Sequence, residues 1–108
     1  MPVLNRVSSL DRLDELFAES HVRPIVLFKH SNSCGISFDV YDQLSSINGD
    51  IHVVVVQQDR DISNAIADRL GVRHASPQAF VVWEGRPIYH ASHYGIEPHE
   101  IENKLNVK

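Results

Sequence analysis

Apolar residues recur along this chain in short blocks whose spacing alternates between that of a strand and that of a helix. Strand-like blocks of branched and aromatic residues occupy residues 3–7, 22–28, 51–56, 78–83 and 86–91. Helical spacing begins at Leu10, where Leu13, Leu16 and Phe17 continue the stripe, and it returns over residues 33–46, 61–70 and 97–103. Residues 51–56 are apolar nearly throughout, which is typical of a parallel strand covered on both faces.

Residues with turn and capping preferences separate these blocks. Ser8 or Ser9 can cap the first helix, and Gly71 is placed to end the third. Glu84-Gly85 predicts a hairpin turn, and Pro98 is tolerated in the first turn of the last helix. The predicted order is β-α-β-α-β-α-β-β-α. It gives a mainly parallel sheet to which the closing hairpin adds antiparallel strands. We expect one α/β domain spanning residues 1–108.

The single cysteine, Cys34, lies where the second predicted strand gives way to a helix. The first N–H groups of a helix have no partner within it, and the helix dipole places about half a positive charge there. A thiol at this position is a stronger acid than a free cysteine, and the thiolate is the reactive form. The alternative is a buried cysteine that behaves as a small hydrophobic residue. The polar lead-in Ser31-Asn32-Ser33 favours the reactive interpretation.

A thioredoxin-like fold fits this element order together with a cysteine after the second strand. We therefore expect a central mixed sheet of four to five strands flanked by helices. Its cleft would lie between the Cys34 loop and the Ser76-Pro77 turn.

Composition and charge limit the binding partners and the cellular compartment that we expect for this protein. The net charge of −4 is scattered along the chain and gives no basic face, so we expect no nucleic-acid partner. No apolar run approaches the ~20 residues that span a bilayer, and the segment Met1 to Arg6 lacks the apolar core of a signal peptide. With one cysteine and no sign of export, we expect a cytoplasmic monomer without membrane association.

The segments FKHSNSCGIS and SPQAFVVWEGRPIYHASHYGI resemble the two signatures of the YtxJ-like monothiol bacilliredoxins, over essentially the whole chain. The resemblance implies thiol–disulfide exchange at Cys34, with bacillithiol as the thiol co-substrate and S-thiolated client proteins as partners. It implies no permanently bound cofactor. The family usually carries Thr-Cys-Pro-Ile-Ser, and Gly35 stands here in place of the proline.

Two other functions stay open at this point. Cys34-Gly35-Ile36-Ser37 is similar to the Cys-Gly-Phe-Ser motif of monothiol glutaredoxins, some of which hold a [2Fe–2S] cluster with glutathione. The Gly-Gly-x-Asp-Asp type stretch of those proteins is missing, because residues 92–97 read SHYGIE. The other alternative is a thioredoxin-like binding module without turnover.

Several residues around Cys34 are candidates for tuning or shaping the site. Lys29 could add positive potential if its ammonium turns toward the sulfur, and His30 could tune the thiol electrostatically. Ser31 and Asn32 could shape the approach to the thiol. Ser33 is predicted to cap the helix.

Two further features complete the predicted site. Ser37 lies one turn beyond Cys34, where it either hydrogen-bonds the sulfur or is an exposed serine without a role. The fold resemblance implies a cis bond before Pro77, which would leave backbone groups of Ser76 free to bind an extended substrate. His90 and His93 are spaced as metal ligands can be, but they fall across a strand end, so we expect no metal site.

Overall fold

Buried strands and amphipathic helices alternate along the chain and assemble into three layers. The computed structural model describes residues 4–33 and 35–106. The strands are β1 (Leu4–Arg6), β2 (Ile25–His30), β3 (Ile51–Val55), β4 (Gln78–Trp83) and β5 (Arg86–Ser92). The helices are α1 (Leu10–Glu19), α2 (Gly35–Leu44), α3 (Arg60–Leu70) and α4 (Pro98–Leu105), with a 3-10 turn at His93–Gly95.

The strands form one mixed sheet in the order β1-β3-β2-β4-β5. The first three strands of the chain are parallel to one another, β4 pairs antiparallel with β2, and β5 pairs antiparallel with β4. The predicted element order and the predicted mixed sheet of up to five strands are both confirmed.

Side-chain alternation along the central strand β2 supplies both faces of the core. Ile25 and Leu27 join a buried cluster with residues of α1 and α3, whereas Val26 and Phe28 join a second cluster with residues of α2 and α4. Each fully buried aliphatic or aromatic side chain contributes about 1.5–3 kcal/mol to folding. Because every residue of β2 is buried, this strand fixes the position of the loop that follows it.

The predicted second strand, residues 22–28, begins three residues too early and ends two residues too early. Val22 is 70% exposed, and the backbone N–H groups of Val22 and Arg23 donate to the carbonyl of Glu19, which extends the turn at the end of α1. The strand instead continues through Lys29 and His30, two polar residues that are buried. The strand was predicted to end before Lys29 because these two residues are polar.

The predicted second helix is also too long, since α2 begins at Gly35 and ends at Leu44. Ser33 lies two residues before Gly35, the first residue of α2, and its hydroxyl accepts a hydrogen bond from Gln57. Leu10, the first residue of the predicted apolar stripe of α1, is 42% exposed.

The predicted turn and cap residues are confirmed at four places. The Ser9 hydroxyl accepts a hydrogen bond from the N–H of Arg12, and Pro98 is the first residue of α4. Gly71 ends α3 with φ of 67°, and Glu84 and Gly85 turn the hairpin with φ of 54° and 74°. No helix in the described part of the chain is long and apolar enough to cross a membrane.

Candidate active site

The carboxyl ends of the parallel strands β2 and β3 lie at the same edge of the sheet, and His30 is in register with Val55. Loops that follow neighbouring parallel strands meet at such an edge, where ligands of α/β proteins commonly bind. Here the meeting loops are residues 31–33 and 56–59. Cys34 itself lies outside the described residues. Along the chain it immediately precedes Gly35, the first residue of α2.

Gln57 holds the loop before Cys34 by three hydrogen bonds. Its Nε2 donates to Ser31 Oγ at 2.7 Å and to Ser33 Oγ at 3.0 Å. Its Oε1 accepts from the backbone N–H of Asn32 at 3.1 Å. One side chain of the β3–α3 loop therefore contacts each of the three residues that lead to the cysteine.

Ser37 fixes the same loop from the side of α2. Its Oγ accepts a hydrogen bond from the N–H of Ser31 at 2.9 Å and lies 2.8 Å from His30 Nδ1. Ser37 is fully buried, so the interpretation as an exposed serine is wrong. The Ser31 N–H occupies one acceptor site of this oxygen, and the direction of the hydrogen bond between Ser37 Oγ and His30 Nδ1 depends on the tautomer of His30.

His30 is packed among aromatic rings rather than facing water. Its ring centroid lies 4.9 Å from that of Phe38, edge to face, and 5.0 Å from that of Tyr41. Burial lowers the pKa of His30 below its usual 6.5, so the imidazole is neutral at pH 7. His30 therefore supplies the site with a hydrogen-bonding ring nitrogen and an aromatic wall, and its electrostatic effect on the thiol stays a prediction.

Lys29 faces the α3 side of the sheet and is completely buried. Its Nζ lies 3.2 Å from Nδ1 of His74 and 5.8 Å from the centre of the Phe80 ring. Burial lowers the pKa of the Lys29 ammonium to about 8. Its distance from the sulfur lies outside the described residues, so its action on the thiol stays a prediction.

The turn before β4 is held by a buried side chain of that strand. The Ser76–Pro77 peptide bond is cis, as the resemblance implied. Gln78 accepts from the N–H of Ala75 at 3.3 Å and donates to the carbonyl of Arg73 at 2.9 Å. The turn is therefore supported by hydrogen bonds on the chain before it. The binding role of Ser76 and Pro77 stays a prediction.

A cavity of about 290 Å³ lies between the loop and the turn. Ser31 from the loop and Ser76 from the turn both line it, as does Gln57. The remaining wall comes from Val56, from Arg60, Ser63 and Asn64 of α3, and from His74. This is the position at which the sequence predicted a cleft.

The sequence interpretation missed Gln57 and His74. A signal existed for Gln57, because the polar run Gln57-Gln58-Asp59 directly follows the buried strand β3, the parallel neighbour of β2. No local signal marks His74, which lies in the irregular segment between Gly71 and the turn. Across residues 4–33 and 35–106, no group of three or more histidine, cysteine or acidic side chains could hold a metal ion.

This fold defines the class of protein. A solved structure described as a candidate oxidoreductase with a thioredoxin fold matches with a TM-score of 0.85 and 31% identity, over 94% of this chain and 92% of that one. Mitochondrial thioredoxin 3 from Saccharomyces cerevisiae matches at 0.72 and 14% identity, over 94% and 92%. Schistosoma mansoni thioredoxin matches at 0.71 and 12% identity, over 95% and 93%. The chain therefore has a thioredoxin fold.

The family follows from the sequence. The family model of the monothiol bacilliredoxin BrxC matches residues 5–101, and the chain belongs to this family. Family and fold together indicate a thiol oxidoreductase whose chemistry is linked to bacillithiol.

Proposed function

We propose that this protein removes bacillithiol from mixed disulfides on client proteins and carries it on Cys34. The observation that carries the proposal is membership of the monothiol bacilliredoxin family across nearly the whole chain. The arrangement around position 34 supports it, because two side chains from different elements hold the preceding loop and α2 begins at the next residue.

The reaction exchanges one disulfide for another. The Cys34 thiolate attacks the bacillithiol sulfur, and a new bond forms between these two atoms while the bond from bacillithiol to the client sulfur breaks. The client cysteine leaves as a thiolate and takes a proton from water. Cys34 is then capped by bacillithiol, and no net oxidation or reduction has occurred.

Regeneration needs a second thiol from outside the chain, since Cys34 is the only cysteine. Ser37 lies one helical turn further on, at a position from which a thiol could reach back, but it carries a buried hydroxyl engaged by Ser31 and His30. A low-molecular-weight thiol or another redoxin therefore attacks the bacillithiol sulfur of the capped protein and releases the Cys34 thiolate.

Transfer from a bacillithiolated client, followed by intact-mass spectrometry, tests the proposal. We expect one bacillithiol mass to leave the client and one to appear on this protein, and we expect no transfer to Cys34→Ser. A client that keeps its adduct under conditions where Cys34 reacts with a simple disulfide would exclude the activity. Visible absorption after iron–sulfur reconstitution with glutathione would support the glutaredoxin-like alternative instead.

A further inference from the structure

We infer that the cavity beside the cysteine loop binds the anionic, carboxylate-bearing part of a small thiol while its sulfur is joined to Cys34. This inference rests on the proposed function and names the chemistry that selects the thiol. The cavity is lined by Ser31, Gln57, Arg60, Ser63, Asn64, His74 and Ser76, together with Val56, and we call it the α3 cavity.

The loop that leads along the chain to Cys34 forms part of the wall of the α3 cavity. Ser31 lies in its wall, and Gln57 donates both to Ser31 and to Ser33, the residue before Cys34. Ser76 of the cis-proline turn closes the opposite side. The wall of the α3 cavity therefore includes the chain segment that leads directly to the reactive cysteine.

Positive charge in and beneath the α3 cavity has no carboxylate partner within the described residues. Arg60 is exposed on the wall and is absent from the ion pairs of the described chain. Beneath the wall lies the buried Lys29 ammonium, whose hydrogen-bond partner is the neutral acceptor Nδ1 of His74. The nearby carboxylate of Asp59 is already engaged by Arg6 at 3.1 Å.

His74 joins these charges to the cavity. Its Nδ1 lies 3.2 Å from Lys29 Nζ and 3.1 Å from Ser63 Oγ. Its pKa is lowered by burial and by the charges of Lys29 and Arg60, so both cations act on a group of the cavity wall. In a protein of net charge −4, such a pair of uncompensated cations favours an anion here.

The occupant is a carboxylate-bearing thiol rather than a neutral or cationic one. Arg60 can donate to both oxygens of a carboxylate, while Asn64 and Ser76 offer neutral polar groups to the rest of the molecule. A volume of about 290 Å³ admits a small substituent but not a folded peptide.

The test compares the rates at which Cys34 reacts with two symmetric disulfides, that of 3-mercaptopropionate and that of 2-mercaptoethanol. The first places a carboxylate beyond the sulfur and the second a hydroxyl. We expect Arg60→Gln to lower the carboxylate-to-hydroxyl rate ratio roughly three- to fivefold, as for one ion pair between partly exposed charges. Asn64→Asp, which adds a negative charge to the cavity wall, should lower the ratio as well.

Arg86→Gln is the matched control, because it removes the same charge from an exposed position at the far end of the sheet. Equal ratios in Arg60→Gln, Arg86→Gln and the unmodified chain would overturn the inference. The rate with the neutral disulfide measures the reactivity of Cys34 itself. A variant that changes both rates by the same factor therefore leaves the ratio unchanged, and only a change in anion preference alters the ratio. Because both probes are small disulfides, the rate ratio tests anion binding in the α3 cavity even if transfer from a bacillithiolated client fails.

A second measurement does not depend on rates. Cys34 is capped stably by 3-mercaptopropionate or by 2-mercaptoethanol, and the His74 ring is titrated by NMR in both adducts. We expect a higher His74 pKa in the carboxylate adduct, because a neighbouring negative charge favours the imidazolium. Identical His74 titrations in the two adducts would place the carboxylate outside the α3 cavity.

Discussion

Gln57 makes the most specific prediction about the loop that leads to Cys34. Gln57→Ala removes the three hydrogen bonds that join this side chain to Ser31, Asn32 and Ser33. A hydrogen bond contributes about 0.5–1.5 kcal/mol net, and values near the low end apply because Gln57 is exposed. The loop should therefore open more easily by about 1–2 kcal/mol, which corresponds to roughly five- to thirtyfold.

Solvent exchange of the Asn32 backbone amide, measured by NMR, reports this opening directly. The Asn32 N–H donates to Gln57, whereas the Ser31 N–H donates to the buried Ser37 hydroxyl and serves as an internal reference. Gln58→Ala is the control, since it shortens the neighbouring exposed glutamine by the same atoms. Equal Asn32 exchange rates in the two variants would refute the assignment of Gln57 as the residue that positions the loop.

Three stability predictions follow from buried polar groups and from the start of α2. Lys29→Met should stabilise the protein by on the order of 1 kcal/mol at pH 7. With a Lys29 pKa of about 8 in the folded state, the unfolded chain binds more protons between pH 8 and 10.5, so the unfolding free energy should rise with pH over this range. Lys29→Met should abolish that rise. His52, whose Nδ1 has no hydrogen-bond partner within the described chain, has a pKa lowered mainly by burial. The unfolding free energy should therefore fall as the pH drops below 6.5. His52→Leu should reduce that loss and raise the unfolding free energy by about 1 kcal/mol at pH 7. The exposed control His99→Leu should do neither. Gly35→Ala should stabilise by about 0.5–1 kcal/mol, since a Cβ there meets no atom within 4 Å. Urea unfolding across pH checks all three, and unchanged midpoints would contradict the corresponding assignment.

Periodicity sufficed for the element order because each buried face here is continuous. The apolar run from Ile51 to Val55 and the stripe of Ile62, Ile66 and Leu70 specify a strand and a helix without reference to the rest of the chain. Ends of elements were less predictable. The strand β2 continues through Lys29 and His30 because tertiary partners, His74 and Ser37, satisfy their polar atoms.

The site was predictable only where its chemistry is local. Cys34 and the Ser76–Pro77 turn stand out by residue type, whereas Gln57 and His74 act through contacts 11 to 45 residues away. No short sequence pattern encodes such contacts. They follow from the parallel pairing of β2 with β3 and from the antiparallel pairing of β2 with β4.

The chemical state of Cys34 in its own cells tests the proposed activity most directly. Cells are exposed briefly to an oxidant, free thiols are blocked at once, and the peptide containing Cys34 is analysed by mass spectrometry. We predict a single bacillithiol adduct on Cys34 that disappears as the cells recover. A Cys34 that stays unmodified while other proteins of the same lysate carry bacillithiol would contradict the proposed function.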